Sequence, residues 1–327
     1  MVLPNLATIF ILLTFKYLLR IGTGDMKRYL SYTITDVHQG LTVEAYLKQV
    51  LNYSGRTIQK LTRKKGILLN KKNAFLKKNV NSGDVLKILS LEDTNFGVEP
   101  EQGPIEILYE DNYLIVLNKP SGLLVHPTGQ TSHGTLSNYL AYHYQQHGAI
   151  CTVRPIHRLD RDTSGCVLFA KDRRTQAYLD KFLKEGEIKR TYHAVVMGNI
   201  DPSNGTINLP IGSHPAKPNR RVVTEAGDPA ITHYHEICTS SGVSLLELIL
   251  ETGRTHQIRV HLSHLGHPIV GDRMYGKRSD LISGQALHAI SLSFLHPFEQ
   301  RVISLEAPYS SSYLRVLEAY ALRSEQQ

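Results

Sequence analysis

The chain has 327 residues, 41% of them apolar, so it is long enough for one large domain or two smaller ones with a full core. Its three cysteines, Cys151, Cys166 and Cys238, include no CxxC pair, which excludes a disulfide framework and a zinc knuckle and fits a reducing compartment. The formal net charge of +8 suits a polyanionic partner, but only its distribution says where such a partner would bind.

The chain opens with an apolar run, LATIFILLTF, of ten residues before Lys16. A membrane span needs about 20. A secretory signal needs a positive start, and no Lys or Arg precedes this run. Residues 1–25 are therefore expected to be a non-native N-terminal extension, with translation starting at Met26 and a cytoplasmic product.

Residues 41–90 hold eleven Lys and Arg against two acids, Glu44 and Asp84. This segment carries +9, so the rest of the chain sums to −1. Leu41, Val43, Leu47, Val50 and Leu51 have the spacing of an amphipathic helix, which Ser54 and Gly55 break. Thr57, Ile58 and Leu61 predict a second helix, with Arg63, Lys64 and Lys65 in its last turn and Gly66 as its stop. GILLN reads as a short strand, and AFLKKNVNSGDVLKIL as short strands around a turn at Ser82-Gly83-Asp84. The segment thus reads as two helices and a small sheet, with a basic second helix.

LEDTNFGVEPEQGP, residues 91–104, is acidic and contains Pro and Gly, which predicts a linker. From Ile105 the chain is rich in strands. IEILYEDNYLIVLNKPSG reads as strand, turn and strand, and Cys166 to Lys171 as a buried strand. Asp172 to Glu185 predicts an amphipathic helix closed by Gly186. TYHAVVMG, THYHEI, SLLELILE and ALHAISLSF are further strands, and THQIRVHLSHLG has helical spacing. The fold class is α+β, with a mostly antiparallel mixed sheet after a small helix-rich domain.

Several chemistries are absent. There is no phosphate-binding loop and no dinucleotide glycine fingerprint. His256, His261, His264 and His267 lack the HExxH spacing, and no acid lies among them, so they are not read as a metal site. Ser164 lacks the GxSxG elbow. What remains is RPIHRLDRDTSG, Arg154 to Gly165, where Asp160 stands between Arg158 and Arg161 just before an apolar strand. Two guanidinium groups near it would favour the carboxylate, which in a dry pocket serves as nucleophile or base. Taken alone, the same residues also suit a salt-bridged loop.

HRLDRDTSG resembles the signature of the RluA family of pseudouridine synthases. Four more segments resemble that family in the same order: NKPSGLLVHP (118–127), KRTYHAVVMG (189–198), GRTHQIRVHLSHLGHPIVGDRMYG (253–276) and LHAISLSFLHP (287–297). SGRTIQKLTRKKGILLN resembles the alpha-L RNA-binding motif fused upstream in this family, departing from it where Lys71, not glycine, follows Asn70.

The resemblance implies isomerisation of uridines in structured RNA to pseudouridine, with ribosomal RNA favoured over transfer RNA as the partner. It implies catalytic roles for Asp160, Tyr192 and Arg259. Arg158 would fill the space left by a flipped base. Arg56, Lys60, Arg63 and Lys64 would bind substrate RNA. No metal or organic cofactor is implied, and a monomer without membrane attachment is expected. The expected domains are an RNA-binding domain over 26–92, a linker over 93–104 and a catalytic domain over 105–327. Two rivals are an RNA-binding protein with an inactive synthase domain and a hydrolase using Asp160.

Overall fold

The structure is a computed structural model that describes residues 29–322, apart from 52, 90–92 and 130. The expected extension over residues 1–25 and the expected start at Met26 lie outside the described residues. The chain divides into two units. The described part of the first is 29–50 with 55–89, and the second takes 51–54 and the residues from 93 onward.

The first unit runs β1 (Tyr29–Thr33), α1 (Val43–Ala45) continued by a π-helical turn (Tyr46–Val50), α2 (Gly55–Arg63), β2 (Ile67–Leu69), β3 (Lys72–Asn73) and β4 (Val85–Leu89). The strands form one antiparallel sheet in the order β1-β4-β2-β3. Val43, Tyr46 and Leu47 of the first helical stretch, Ile58 and Leu61 of α2, and Leu86 and Ile88 of β4 are buried. Gly55 opens α2 rather than breaking the chain before it.

The expected strands over residues 74–82 do not form. The carbonyls of Leu76 and Lys78 instead accept from the amides of Glu44 and Val43, at 2.9 and 2.8 Å. This segment therefore satisfies the free N–H groups at the start of α1. The end of α2 also differs from the expectation. Lys65, at φ 49°, takes the left-handed position. Gly66 is required for another reason: a Cβ there would lie 2.7 Å from the Leu89 Cβ.

The second unit contains β5 (Glu106–Glu110), β6 (Leu114–Lys119), α3 (Leu136–Gln146), β7 (Arg154–Pro155), β8 (Ser164–Ala170), α4 (Arg173–Lys184) and β9 (Lys189–Met197). It continues with β10 (Asn204–Asn208), β11 (Ile211–His214), β12 (Lys217–Val223), β13 (Ile231–Ser240), β14 (Val243–Leu250), α5 (Gln257–His264), β15 (Leu287–Leu295), β16 (Val302–Glu306) and α6 (Ser311–Ala319). The main sheet follows β10-β13-β14-β9-β15-β8-β6-β5, with β16 on β15 and β7 on β8. Among the described strands β15 and β8 pair in parallel and every other pair is antiparallel.

Alternation along the central strands supplies two cores. Val167 and Phe169 of β8 join Ile115 and Leu117 of β6 in one cluster, with Leu140 of α3 and Val316 of α6. Cys166, Leu168 and Ala170 join Leu114 and Val116 in the other, with Leu179 of α4. The sheet centre is thus covered on both faces, which is why β8 reads as a continuous apolar run. Residues 93–104 carry no helix or strand. They are nonetheless anchored within this unit, because Asp93 pairs with buried Arg154 and the Phe96 carbonyl accepts from the Val153 amide.

β2 and β3 are joined by Asn70 and Lys71, at φ 49° and 67°. Two positive φ values make the kind of two-residue turn that favours Asn-Gly. Lys71 therefore occupies a position that strains a residue with a Cβ. Lys71→Gly should raise stability by about 1 kcal/mol. Lys71→Ala, which removes the charge and keeps the strain, should not. Thermal unfolding of both variants checks this.

Candidate active site

The loop carrying Asp160 lies between β7 and β8 and is fixed from three sides. Lys119, at the end of β6, is fully buried, and its Nζ donates to the carbonyls of Pro120, Leu123 and Arg161 at 2.9, 2.7 and 2.8 Å. Burial pushes this amine down to about 7, against the opposing charges of Asp162 and Asp160. The Thr163 hydroxyl accepts from Gln285 Nε2 at 3.0 Å. Gly165, at φ 110°, lies where a Cβ would overlap the Ala289 backbone of the parallel strand β15. Only glycine allows that approach, which accounts for the last residue of the motif.

Asp160 is met from α5. Arg259 Nη1 donates to Asp160 Oδ2 at 2.9 Å, joining residues 99 positions apart. The same guanidinium donates from Nε and Nη2 to Asp272 Oδ2 and Oδ1, at 2.7 and 2.9 Å. Asp272 is fully buried, and its Oδ1 also accepts from the amides of Met274 and Tyr275. Burial alone would lower the Arg259 pKa, but the hydrogen bonds and charges of Asp272 and Asp160 outweigh it and raise the value. Burial alone would raise the Asp272 pKa, and the hydrogen bond and charge of Arg259 turn that into a net lowering. The Arg259 guanidinium also lies 5.1 Å from the centre of the Tyr275 ring, whose hydroxyl meets His256 Nδ1 at 2.9 Å. His256 Nε2 is 3.9 Å from Asp160 Oδ2.

This array borders a cavity of about 500 Å³ that is also lined by Arg158, His157, Arg190, Tyr192 and Leu287. Tyr192, on β9, is 4% exposed. Burial pushes its phenol up, with Arg190 opposing and Asp160 reinforcing the shift. The ring is therefore a neutral wall of the cavity near neutral pH. Arg158 is exposed at the cavity, and exposed Arg161 donates from Nε to the Gly122 carbonyl at 3.0 Å. The carboxylate's ion-pair partner is thus Arg259, and neither flanking arginine pairs with it.

The structure brings Arg158, Asp160, Tyr192 and Arg259 to one cavity. Arg56, Lys60, Arg63 and Lys64 belong to the first unit, and all four are exposed. Their spacing along α2 and the turn after it puts them on one face, away from buried Ile58 and Leu61. Phe75, 79% exposed, lies in the same basic stretch, between Lys71, Lys72, Lys77 and Lys78.

The four histidines set aside as ligands are dispersed. His256 meets Tyr275, His261 bonds Thr232 and the Leu209 carbonyl, His267 bonds the Met197 carbonyl, and His264 is exposed. Sequence reasoning missed Asp272, Lys119 and Arg190. Asp272 lies inside the quoted GHPIVGDRMYG, Lys119 inside NKPSG and Arg190 inside KRTYHAVV, so each had a place in a motif but no assigned partner.

Comparison with known proteins places these motifs. A family model described as RNA pseudouridylate synthase matches residues 113–264. A second, the RluD ribosomal pseudouridine synthase N-terminal domain, matches residues 30–86. The chain is 41% identical over 295 residues to the uncharacterized RNA pseudouridine synthase YhcT of Bacillus subtilis (strain 168), covering 90% of this chain and 98% of that one. It is 34% identical over 309 residues to ribosomal large subunit pseudouridine synthase D of Nitrosomonas europaea, covering 91% and 90%. Among solved structures, human RNA pseudouridylate synthase domain containing 1 matches with a TM-score of 0.54 at 27% identity, over 64% of this chain and 86% of that one.

Asp272→Asn keeps the shape and removes the charge that holds Arg259 from behind. Breaking a buried pair in this way should cost about 3–5 kcal/mol of stability. The folded pKa of Asp272 is lowered, so its contribution is complete above the unfolded carboxylate value and is lost as pH falls through the folded one. The gap between wild type and variant should therefore be full at neutral pH and close below about pH 4. Denaturant unfolding across pH measures it.

Proposed function

The chain belongs to the RNA pseudouridine synthase family, and on that premise we propose that it converts specific uridines of ribosomal RNA to pseudouridine with Asp160 as the catalytic carboxylate. The observation that carries this reading is the Asp160–Arg259 pair at 2.9 Å, set in a cavity walled by Tyr192.

The reaction is an internal exchange of bonds. The C1′–N1 bond breaks, uracil turns, C5 bonds to C1′, the C5 hydrogen leaves as a proton and N1 takes one up. Atoms balance without an added reagent. Asp160 acts at the sugar, by adding to it or by taking a proton from it, and either route needs the carboxylate charged. Arg259 pairs with the carboxylate, and Asp272 holds Arg259 so that one edge of its fork faces Asp160. Tyr192 lies against the base and assists loss of the C5 proton, and Arg158, exposed at the cavity, fills the space vacated by the flipped uridine.

Residues 26–92 act as the RNA-binding domain, residues 105–327 as the catalytic domain and 93–104 as the connection. Arg56, Lys60, Arg63 and Lys64 contact RNA phosphates. The family match over residues 30–86 and the ribosomal substrate named for the Nitrosomonas relative favour ribosomal RNA. That substrate favours action in the cytoplasm, and we propose that the enzyme acts as a monomer. No helix among the described residues is long and apolar enough to cross a membrane.

Asp160→Asn should leave a folded protein with no detectable isomerisation, read by nucleoside analysis of treated ribosomal RNA; substantial remaining activity would rule out the assignment. Pseudouridine mapping in RNA from cells with and without the gene identifies the target. Arg259→Met should reduce both stability and activity, with Arg259→Lys milder, because lysine keeps the charge but loses the fork. Replacing Arg56, Lys60, Arg63 and Lys64 together by Gln should flatten the slope of log affinity against log salt by about 3. An unchanged slope would make α2 a solvated face only.

A further inference from the structure

Arg190 and Tyr192 are two residues apart on β9, so their side chains leave the sheet on the same face. Both line the cavity that holds Asp160. Arg190 is 8% exposed, and its Nε is sealed from solvent with no hydrogen-bond partner. Among the described residues it forms no ion pair with a carboxylate. Asp160 is already taken by Arg259, and Glu251, the other acid on the cavity wall, is bonded to His233 at 2.6 Å. A guanidinium stays charged across the neutral range. A buried one without an anion is costly, so its counter-charge is expected to arrive from outside the fold.

A second donor without a partner belongs to a residue that lines the same cavity. His157 is 8% exposed, and its Nε2 accepts from the Leu168 amide at 3.3 Å. That bond leaves the proton on Nδ1, which is buried and has no partner. Gly253 borders the guanidinium: a Cβ there would lie 3.3 Å from Arg190 Nη1. Exposed Lys184 and Arg254 line the cavity as well. The cavity therefore holds an anion paired with a cation, Asp160 with Arg259, and a cation without a carboxylate, Arg190, whose guanidinium meets the Tyr192 hydroxyl but leaves Nε unmatched.

We propose that Arg190, with His157, is an anion site that receives a backbone phosphodiester next to the target uridine, so that the nucleotide is held with its sugar at Asp160 and its phosphate at Arg190. This rests on the reading of the enzyme as an RNA uridine isomerase and names how that same site seizes its substrate. It makes Arg190 a binding residue that orients the sugar before chemistry.

Two measurements on the full chain test it. In the first, thermal unfolding is followed as inorganic phosphate is added. Wild type should be stabilised more than Arg190→Met, and without phosphate the variant should be at least as stable as wild type, since it no longer buries an unmatched charge. Equal stabilisation of both proteins, or a clear loss of stability in the variant without phosphate, would make Arg190 a structural residue and overturn the proposal. In the second, binding is measured in the Asp160→Asn background with a stem-loop RNA that wild type converts, carrying a neutral methylphosphonate on one side of the target uridine. On one side or the other, the neutral linkage and Arg190→Met should each weaken binding roughly 10- to 100-fold, and the two losses should not add. Losses that add, or an unchanged Kd in Arg190→Met, would place Arg190 off the phosphate and overturn the proposal. Failure of wild type to convert any RNA would count against the isomerase reading alone, and the phosphate measurement would still decide Arg190.

Discussion

Arg259 sits between two carboxylates, and the site depends on that arrangement. Burying a guanidinium is costly unless its donors are matched. Asp272 takes two of them from within the fold, and Asp160 takes a third at the cavity wall. The two acids differ in exposure: the Asp272 side chain is fully buried, whereas that of Asp160 is 19% exposed. One carboxylate is therefore held inside the fold and the other borders the cavity. A single arginine links them, so the packing of the fold and the placement of Asp160 share a cause.

The rest of the second unit reads as support for that array. β8 and β15 run in parallel, and the loop before β8 has to pass the β15 backbone closely enough that Gly165 is required. Lys119 gathers three carbonyls, one of them from Arg161 next to Asp160, and so couples the end of β6 to the loop that carries Asp160. Cores on both faces of the sheet leave its centre little freedom to shift. Positioning of this kind fixes the Asp160 carboxylate at the cavity without relying on loop mobility.

Much of this was legible in the sequence, and the rest was hidden for physical reasons. β8 and β9, α4 and α5 announce themselves through apolar runs, spacing and a terminal glycine. α3 could have been found from its capping box, Thr135 with Asn138, but its apolar spacing is weak because Ser137 and Asn138 are themselves buried. The segment after β3 misled because its alternation resembles a strand, while its carbonyls serve a helix N-terminus far back in the chain. Asp160 stood out through its flanking arginines, yet its partner comes from 99 residues away. No local pattern encodes such a pair. Asp272 was invisible for the same reason, since its pairing with Arg259 is what distinguishes it.

The central claim is that this charged array rearranges uridine within RNA rather than cutting it. RNA carrying tritium at C5 of its uridines separates the two most directly. Formation of the C5–C1′ bond must expel the C5 hydrogen, so the account predicts tritium released to water, with no free uracil and an RNA chain of unchanged length. Free uracil that retains its tritium would contradict it and make Asp160 the centre of a hydrolase.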